Sequence, residues 1–117
     1  QDFQSTVAKH KIVEAARMHK HGIAIAALKG STTRALAAQA ADEILDIVGV
    51  TTSFVLFSDG ENVIISARSV GEANVQVILE TLGGGGNAAT AGAQIPGKSV
   101  SEVLVDLQAA IDQYYSE

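Results

Sequence analysis

The sequence predicts an α/β fold, a small mixed β-sheet packed with helices in a single domain, and three observations carry that prediction. Apolar stripes with helical period alternate along the chain with short β-branched runs, the pattern of helices layered on a sheet. Asp59-Gly60 stands between two of those runs, a dipeptide suited to the positive φ angles of a tight hairpin. The length of 117 residues, with 47% hydrophobic residues and a mean hydropathy of +0.23, suffices for one core and gives no sign of a second.

Taken in order, Thr6 to Lys20 sets Val7, Ile12, Val13 and Ala16 among basic residues and reads as a helix ended by Gly22. Ile23 to Leu28, bounded by Gly22 and Gly30, has the form of a buried strand. Ser31 to Thr33 offer N-caps to a second helix, whose apolar face is Leu36, Ala40, Ile44, Ile47 and Val48 and which Gly49 closes. Thr52–Phe57 and Asn62–Ala67 are the strands of the hairpin. Val75, Ile78, Leu79 and Leu82 mark a third helix at i, i+3, i+4 and i+7. Ala91 to Ile95 reads as a last strand before Pro96-Gly97. The final helix opens on Ser99-Val-Ser-Glu102, a capping box, and carries Val100, Val103, Leu104, Leu107, Ile111 and Tyr114 on one face.

The charge is uneven. Residues 1–34 hold six Lys/Arg against two acids, while residues 35–117 hold only Arg68 and Lys98 against eleven acids, for a net −5. Long nucleic acid favours a broad basic surface, whereas a small anion needs only a few placed donors. No cysteine is present, which excludes disulfides and thiolate metal sites. No apolar stretch approaches the roughly 18 residues of a membrane span, so the chain reads as soluble. It starts Gln1-Asp2-Phe3 with its one methionine at Met18, and is expected to be part of something longer.

Four consecutive glycines, Gly83 to Gly86, are the most unusual feature. Such a run lets backbone amides converge on an anion, and its closeness to ordered segments favours a structured loop over a linker. Gly92 to Ser99 matches G-x-x-x-x-G-K-[ST] letter for letter. Only 18 residues follow Ser99, too few for the strands and acidic partner of a nucleotide hydrolase, so it reads as strand end, turn and helix cap. His10, His19 and His21 lack helical metal-site spacing and read as solvated surface, and no acid or hydroxyl has an evident catalytic partner. Arg68, at the end of the hairpin's second strand, suits phosphate or base stacking, or else pairs at the surface with Glu61 or Glu72. Asn74 and Gln76 open the third helix as ligand contacts or as caps.

Ile65-Ser-Ala-Arg-Ser69, Gly71, Asn74-Val-Gln76 and Leu82-Gly-Gly-Gly-Gly86, in this order, resemble the DHHA1 domain of DHH-family phosphoesterases, and within it the GdpP-type cyclic-di-AMP phosphodiesterases. The resemblance implies that residues 1–21 lead from an upstream DHH domain and that 22–117 form a substrate-binding domain. It implies substrate contacts at Arg68, Ser69, Asn74, Gly84, Gly85, Gly86 and Asn87, with no catalytic or metal residue in this chain. The divalent metal, commonly manganese, belongs to the DHH domain, and the parent is expected to be anchored in the bacterial membrane with this part facing the cytoplasm. Expected partners are a cyclic dinucleotide or short oligonucleotide, the DHH domain and, optionally, a second copy. Hydrolysis of cyclic-di-AMP to linear pApA is the expected activity of the whole, with the fragment alone inactive. An oligonucleotide-degrading relative and a non-catalytic nucleic-acid-binding or dimerising module are the alternatives. The family's glycine run normally ends in histidine, and here it ends in Asn87, which cannot carry a positive charge.

Overall fold

A computed structural model of the chain describes residues 2–117 and consists of one six-stranded mixed sheet with two helices on each face. The order of elements is α1 (Phe3–Glu14), β1 (Arg17–Met18), β2 (Ile23–Ala27), α2 (Arg34–Ile44), β3 (Thr52–Ser58), β4 (Asn62–Ser69), α3 (Val75–Glu80), β5 (Gly85–Gly86), β6 (Thr90–Pro96) and α4 (Val100–Ser116). Across the sheet the strands run β1-β2-β3-β4-β6-β5. Only β2 and β3 are parallel, and α2 makes the crossover between them. The Asp59-Gly60 hairpin joins β3 to β4 as expected, with Gly60 at φ 102°.

Alternation along the strands divides the core in two. Ile23, Ile25, Phe54, Leu56, Val63 and Ile65 face α3 and α4, where Ile78, Leu79, Val103, Leu107 and Ile111 complete the layer. Ala24, Ala26, Val55, Phe57 and Ile64 face α1 and α2. On that second side α2 buries Ala37, Ala40 and Ala41, side chains short enough to bring its backbone close to the sheet, and Ser53 Oγ donates to the Ala41 carbonyl at 2.6 Å. Ile12 of α1 is buried in the same layer. The capping box forms as read: Ser99 Oγ accepts from Glu102 N, and the Glu102 carboxylate accepts from Ser99 N.

Three elements differ from the sequence reading. The first helix stops at Glu14 instead of Lys20, because Arg17 and Met18 pair with Ile25 and Ala24 as an edge strand. The second ends at Ile44, which leaves Ile47 42% and Val48 100% exposed in the following turn, outside the apolar face expected of them. The glycine run is only partly a loop. Gly83 turns at φ 83° after α3, and Gly85 and Gly86 then pair with Gly92 and Ala91. No helix among the described residues is long and apolar enough to cross a membrane.

Candidate anion-binding trough

On the α2 side of the sheet, one cross-strand row has almost no side chain. Ser66 of β4 lies opposite Gly92 of β6, and Gly92 lies opposite Gly85 of β5. The row on one side pairs Ile64 with Gln94, and Arg34, in the first turn of α2, reaches across to donate from Nη2 to Gln94 Oε1 at 2.6 Å. The row on the other side pairs Arg68 with Thr90. The bare row is therefore the floor of a trough of about 390 Å³, lined by Arg34, Ser66, Gly83 to Gly85, Gly92 and Gln94. Arg68 belongs to the row beyond that lining. Thr90 and Gln94 are four positions apart on one strand, so the two arginine-bearing rows are separated by roughly 14 Å at about 3.4 Å per residue.

The glycines of the run have separate causes. A Cβ on Gly84 would collide with the Gly92 carbonyl oxygen and lie 2.8 Å from Ala93 Cβ, so this glycine permits β5 to lie against β6. Gly86 sits at φ 144°, where a Cβ would come within 2.6 Å of Ala91 Cα. Gly85 alone of the strand pair faces open space, with no atom within 4 Å of where a methyl would stand, and it is the one on the trough floor.

Arg68 is held by α2 and by its own strand. Its Nε donates to Asp42 Oδ1 at 2.9 Å and its Nη1 to the Ala67 carbonyl at 2.9 Å, while Nη2 has no hydrogen-bond partner among the described residues. Its side chain is 17% exposed, and its partner is Asp42, not Glu61 or Glu72. Ser69, next along the strand, points to the opposite face. It is buried, with Oγ 3.4 Å from Thr52 Oγ1, so its hydroxyl does not join the Arg68 guanidinium. Asn74 caps α3, its Oδ1 accepting from Val77 N, while its own backbone N–H donates to Tyr114 Oη at 3.0 Å. Asn87 Oδ1 accepts from Ala89 N and Thr90 N and so forms the turn between β5 and β6. That turn is tied to the strand end and helix start by Ser69 N to Ala89 O at 2.9 Å and Val75 N to Ala88 O at 3.1 Å. The glycine hairpin, the end of β4 and the start of α3 thus converge through backbone, while the side chains of Ser69, Asn74 and Asn87 hold structure.

Sequence alone does not assign Arg34, Ser66, Gly92 and Gln94 to the site. Strand alternation carries a signal for three of them, since Ser66 shares a face with Arg68, and Gly92 with Gln94. Nothing local signals Arg34, whose partner lies 60 residues away.

The other motifs resolve as structure. Gly92 to Pro96 is strand, Gly97 turns at φ 75°, Lys98 Nζ pairs with Asp106 at 2.6 Å and Ser99 caps α4, in agreement with the reading of the P-loop-like string. His10 lies 3.6 Å from Glu43, and His21 stacks on Tyr115 with ring centroids 3.7 Å apart. His19 departs from the solvated expectation: its side chain is 18% exposed, with Nε2 3.6 Å from Asp112. Among the described residues no three His, Asp or Glu side chains are grouped to hold a metal ion.

A DHHA1 domain profile matches residues 20–117. The chain belongs to the DHHA1 family. It is 44% identical over 114 residues to the cyclic-di-AMP phosphodiesterase GdpP of Geobacillus thermodenitrificans, covering 93% of this chain and 17% of that protein. The Bacillus subtilis GdpP is 43% identical, with 95% of this chain and 18% of that one covered. The cyclic-di-AMP phosphodiesterase PdeA of Listeria monocytogenes is 38% identical, with 98% and 18% covered. This DHHA1 chain therefore spans less than a fifth of the length of these relatives. Among solved structures, an exopolyphosphatase-related protein from Bacteroides fragilis superposes with TM-score 0.80 at 19% identity, over 100% of this chain and 37% of that one. A pGpG-specific phosphodiesterase from Vibrio cholerae gives TM-score 0.66 at 16% identity, over 93% and 39%. At those identities the likeness shows the shared fold.

Proposed function

We propose that this DHHA1 domain is the substrate-binding part of a phosphodiesterase that hydrolyses cyclic-di-AMP to linear pApA, with the trough holding the dinucleotide by its phosphates. The observation that carries the reading is the row Ser66–Gly92–Gly85, whose only side chain is the short Ser66 hydroxymethyl, between the Arg34 and Arg68 rows. A cyclic dinucleotide presents two phosphates on opposite sides of one ring, and a floor of two glycines and one short serine lets that ring lie close to backbone. Arg68 is pre-oriented by Asp42 and offers Nη2; Arg34, steadied by Gln94, serves the other end. Bond cleavage belongs to a DHH domain elsewhere in the polypeptide, together with its divalent metal, and the membrane anchor lies outside this chain as well.

Calorimetric titration of cyclic-di-AMP into the full-length protein and into this chain tests the proposal. Hydrogen bonds to charged groups are worth about 1.5–3 kcal/mol, so Arg68→Ala weakens binding by about 10- to 100-fold and Arg34→Ala by a similar factor. Unchanged affinity in both variants refutes the site. Hydrolysis by this chain alone with added manganese refutes the division of labour. A series from dinucleotide to longer oligonucleotide, offered to the full-length enzyme, reads out substrate length.

A further inference from the structure

A second, larger cavity lies apart from the trough. It is a groove of about 820 Å³ between α1 and the connection from β2 to α2. Its apolar side includes Val7 and Leu28, and Phe3, 81% exposed, stands at one end. Lys11, Arg17 and Lys29 line it and no carboxylate does, in a chain whose net charge is −5. Arg17 Nη1 is occupied by the Glu14 and Ala16 carbonyls, whereas Lys11 and Lys29 are exposed and have no ion-pair partner among the described residues. Ser31 and Thr32 complete the lining at the end of the β2–α2 connection. Apolar surface flanked by unmatched cations is a poor resting face for a domain that is otherwise acidic.

We infer that this groove docks an acidic, apolar-bearing segment of the larger polypeptide to which the domain belongs. An aspartate or glutamate of that segment meets Lys11 and Lys29, and apolar side chains cover Phe3, Val7 and Leu28. The charge pairing sets specificity and register, and the apolar contact supplies most of the adhesion. Position supports the choice of occupant. The groove runs along the first helix, and its wall from Lys29 to Thr32 continues directly into Thr33, the cap of α2, and Arg34 of the trough. A segment seated here lies beside the Arg34 end of the ligand site. Because this chain covers only 17–18% of the GdpP and PdeA relatives, proteins of this kind contain ample further polypeptide to supply it.

The inference rests on the reading of this chain as one domain of a larger phosphodiesterase, and the test separates the two. Backbone hydrogen exchange is measured over residues 3–15 and 28–32 in the full-length protein and in this chain alone. Docking predicts at least tenfold slower exchange over 28–32 in the full-length protein, and loss of that protection in the Lys11→Glu/Lys29→Glu double variant. Equal exchange in the two proteins overturns it. Protection of the isolated chain that grows with concentration also overturns it, by identifying a second copy as the occupant. Cyclic-di-AMP affinity of the isolated chain is expected to be unchanged in the double variant. Protection without any dinucleotide binding supports docking while refuting the ligand proposal.

Discussion

Substituting alanine at Gly84 and at Gly85 separates the packing role of the glycine run from its ligand role. At Gly84 the new Cβ meets the Gly92 carbonyl oxygen and lies 2.8 Å from Ala93 Cβ. Both obstacles are strand backbone or its first side-chain atom, and neither can rotate away. Overpacking of this kind costs about 1–3 kcal/mol, and the lack of a flexible neighbour points to the middle of that range. With a urea m-value near 2 kcal/mol/M, Gly84→Ala lowers the unfolding midpoint by about 1 M. Gly85 has no atom within 4 Å of the added methyl and its φ lies outside the left-handed region. Gly85→Ala therefore changes stability by no more than about 0.5 kcal/mol, with reduced freedom of the unfolded chain acting in its favour. Its methyl instead rises from the trough floor and lowers cyclic-di-AMP affinity about tenfold, or roughly 1.4 kcal/mol. Urea titration followed by far-UV circular dichroism and calorimetric binding supply the two readouts. Equal midpoints for the two variants, or a Gly85→Ala protein that is destabilised yet binds normally, would refute the reasoning.

Two further outcomes follow from the turns and caps. The Asp59 carboxyl is held below its ordinary 3.8 by the backbone N–H groups of Asn62 and Glu61, and Glu102 below 4.5 by the backbone and side chain of Ser99. Folded values below unfolded ones give stability that is complete above the ordinary pKa and lost as pH falls through the lowered value, so the urea midpoint holds down to about pH 5 and declines below about pH 4. Asp59→Asn and Glu102→Gln each flatten that decline, and Ser99→Ala removes about 1 kcal/mol at neutral pH with its cap. At Asn87, alanine forfeits the two bonds from Ala89 N and Thr90 N and costs about 1–2 kcal/mol, measured as a shift in urea midpoint. Aspartate at the same position keeps the acceptor and the stability but weakens dinucleotide binding by adding negative charge beside the trough, a divergence that calorimetry on the two variants checks.

Elements whose own residues dictate their conformation were legible in the sequence. The Asp59-Gly60 hairpin and the Ser99–Glu102 capping box need only neighbours in the chain, and both form. Edge strands did not have that advantage. Arg17-Met18 carries no β pattern and is recruited by Ile25 and Ala24, and Gly85-Gly86 has no side chains from which a period could be read. Hydropathy alone puts Ile47 and Val48 on a buried face, yet the helix ends before them. In the trough, Arg68 and the glycines stand out by composition, whereas Arg34 becomes part of it only through a sheet that brings Gln94 within 2.6 Å. The separation of Ser69 from Arg68 was written in the strand's twofold alternation, which sends adjacent residues to opposite faces.

The sheet ends at both margins in a strand of two residues, Arg17–Met18 on one side and Gly85–Gly86 on the other. A long, flat margin would offer a ladder of free donors and acceptors to any other extended chain, the usual route to uncontrolled self-association. Here each outermost strand itself offers only two residues to a neighbour. The proline that closes β6 removes one more donor from the strand beside the glycines. The glycine pair that contributes Gly85 to the trough floor therefore also forms the outermost strand of the sheet, and an outer strand this short limits what it can add to another chain.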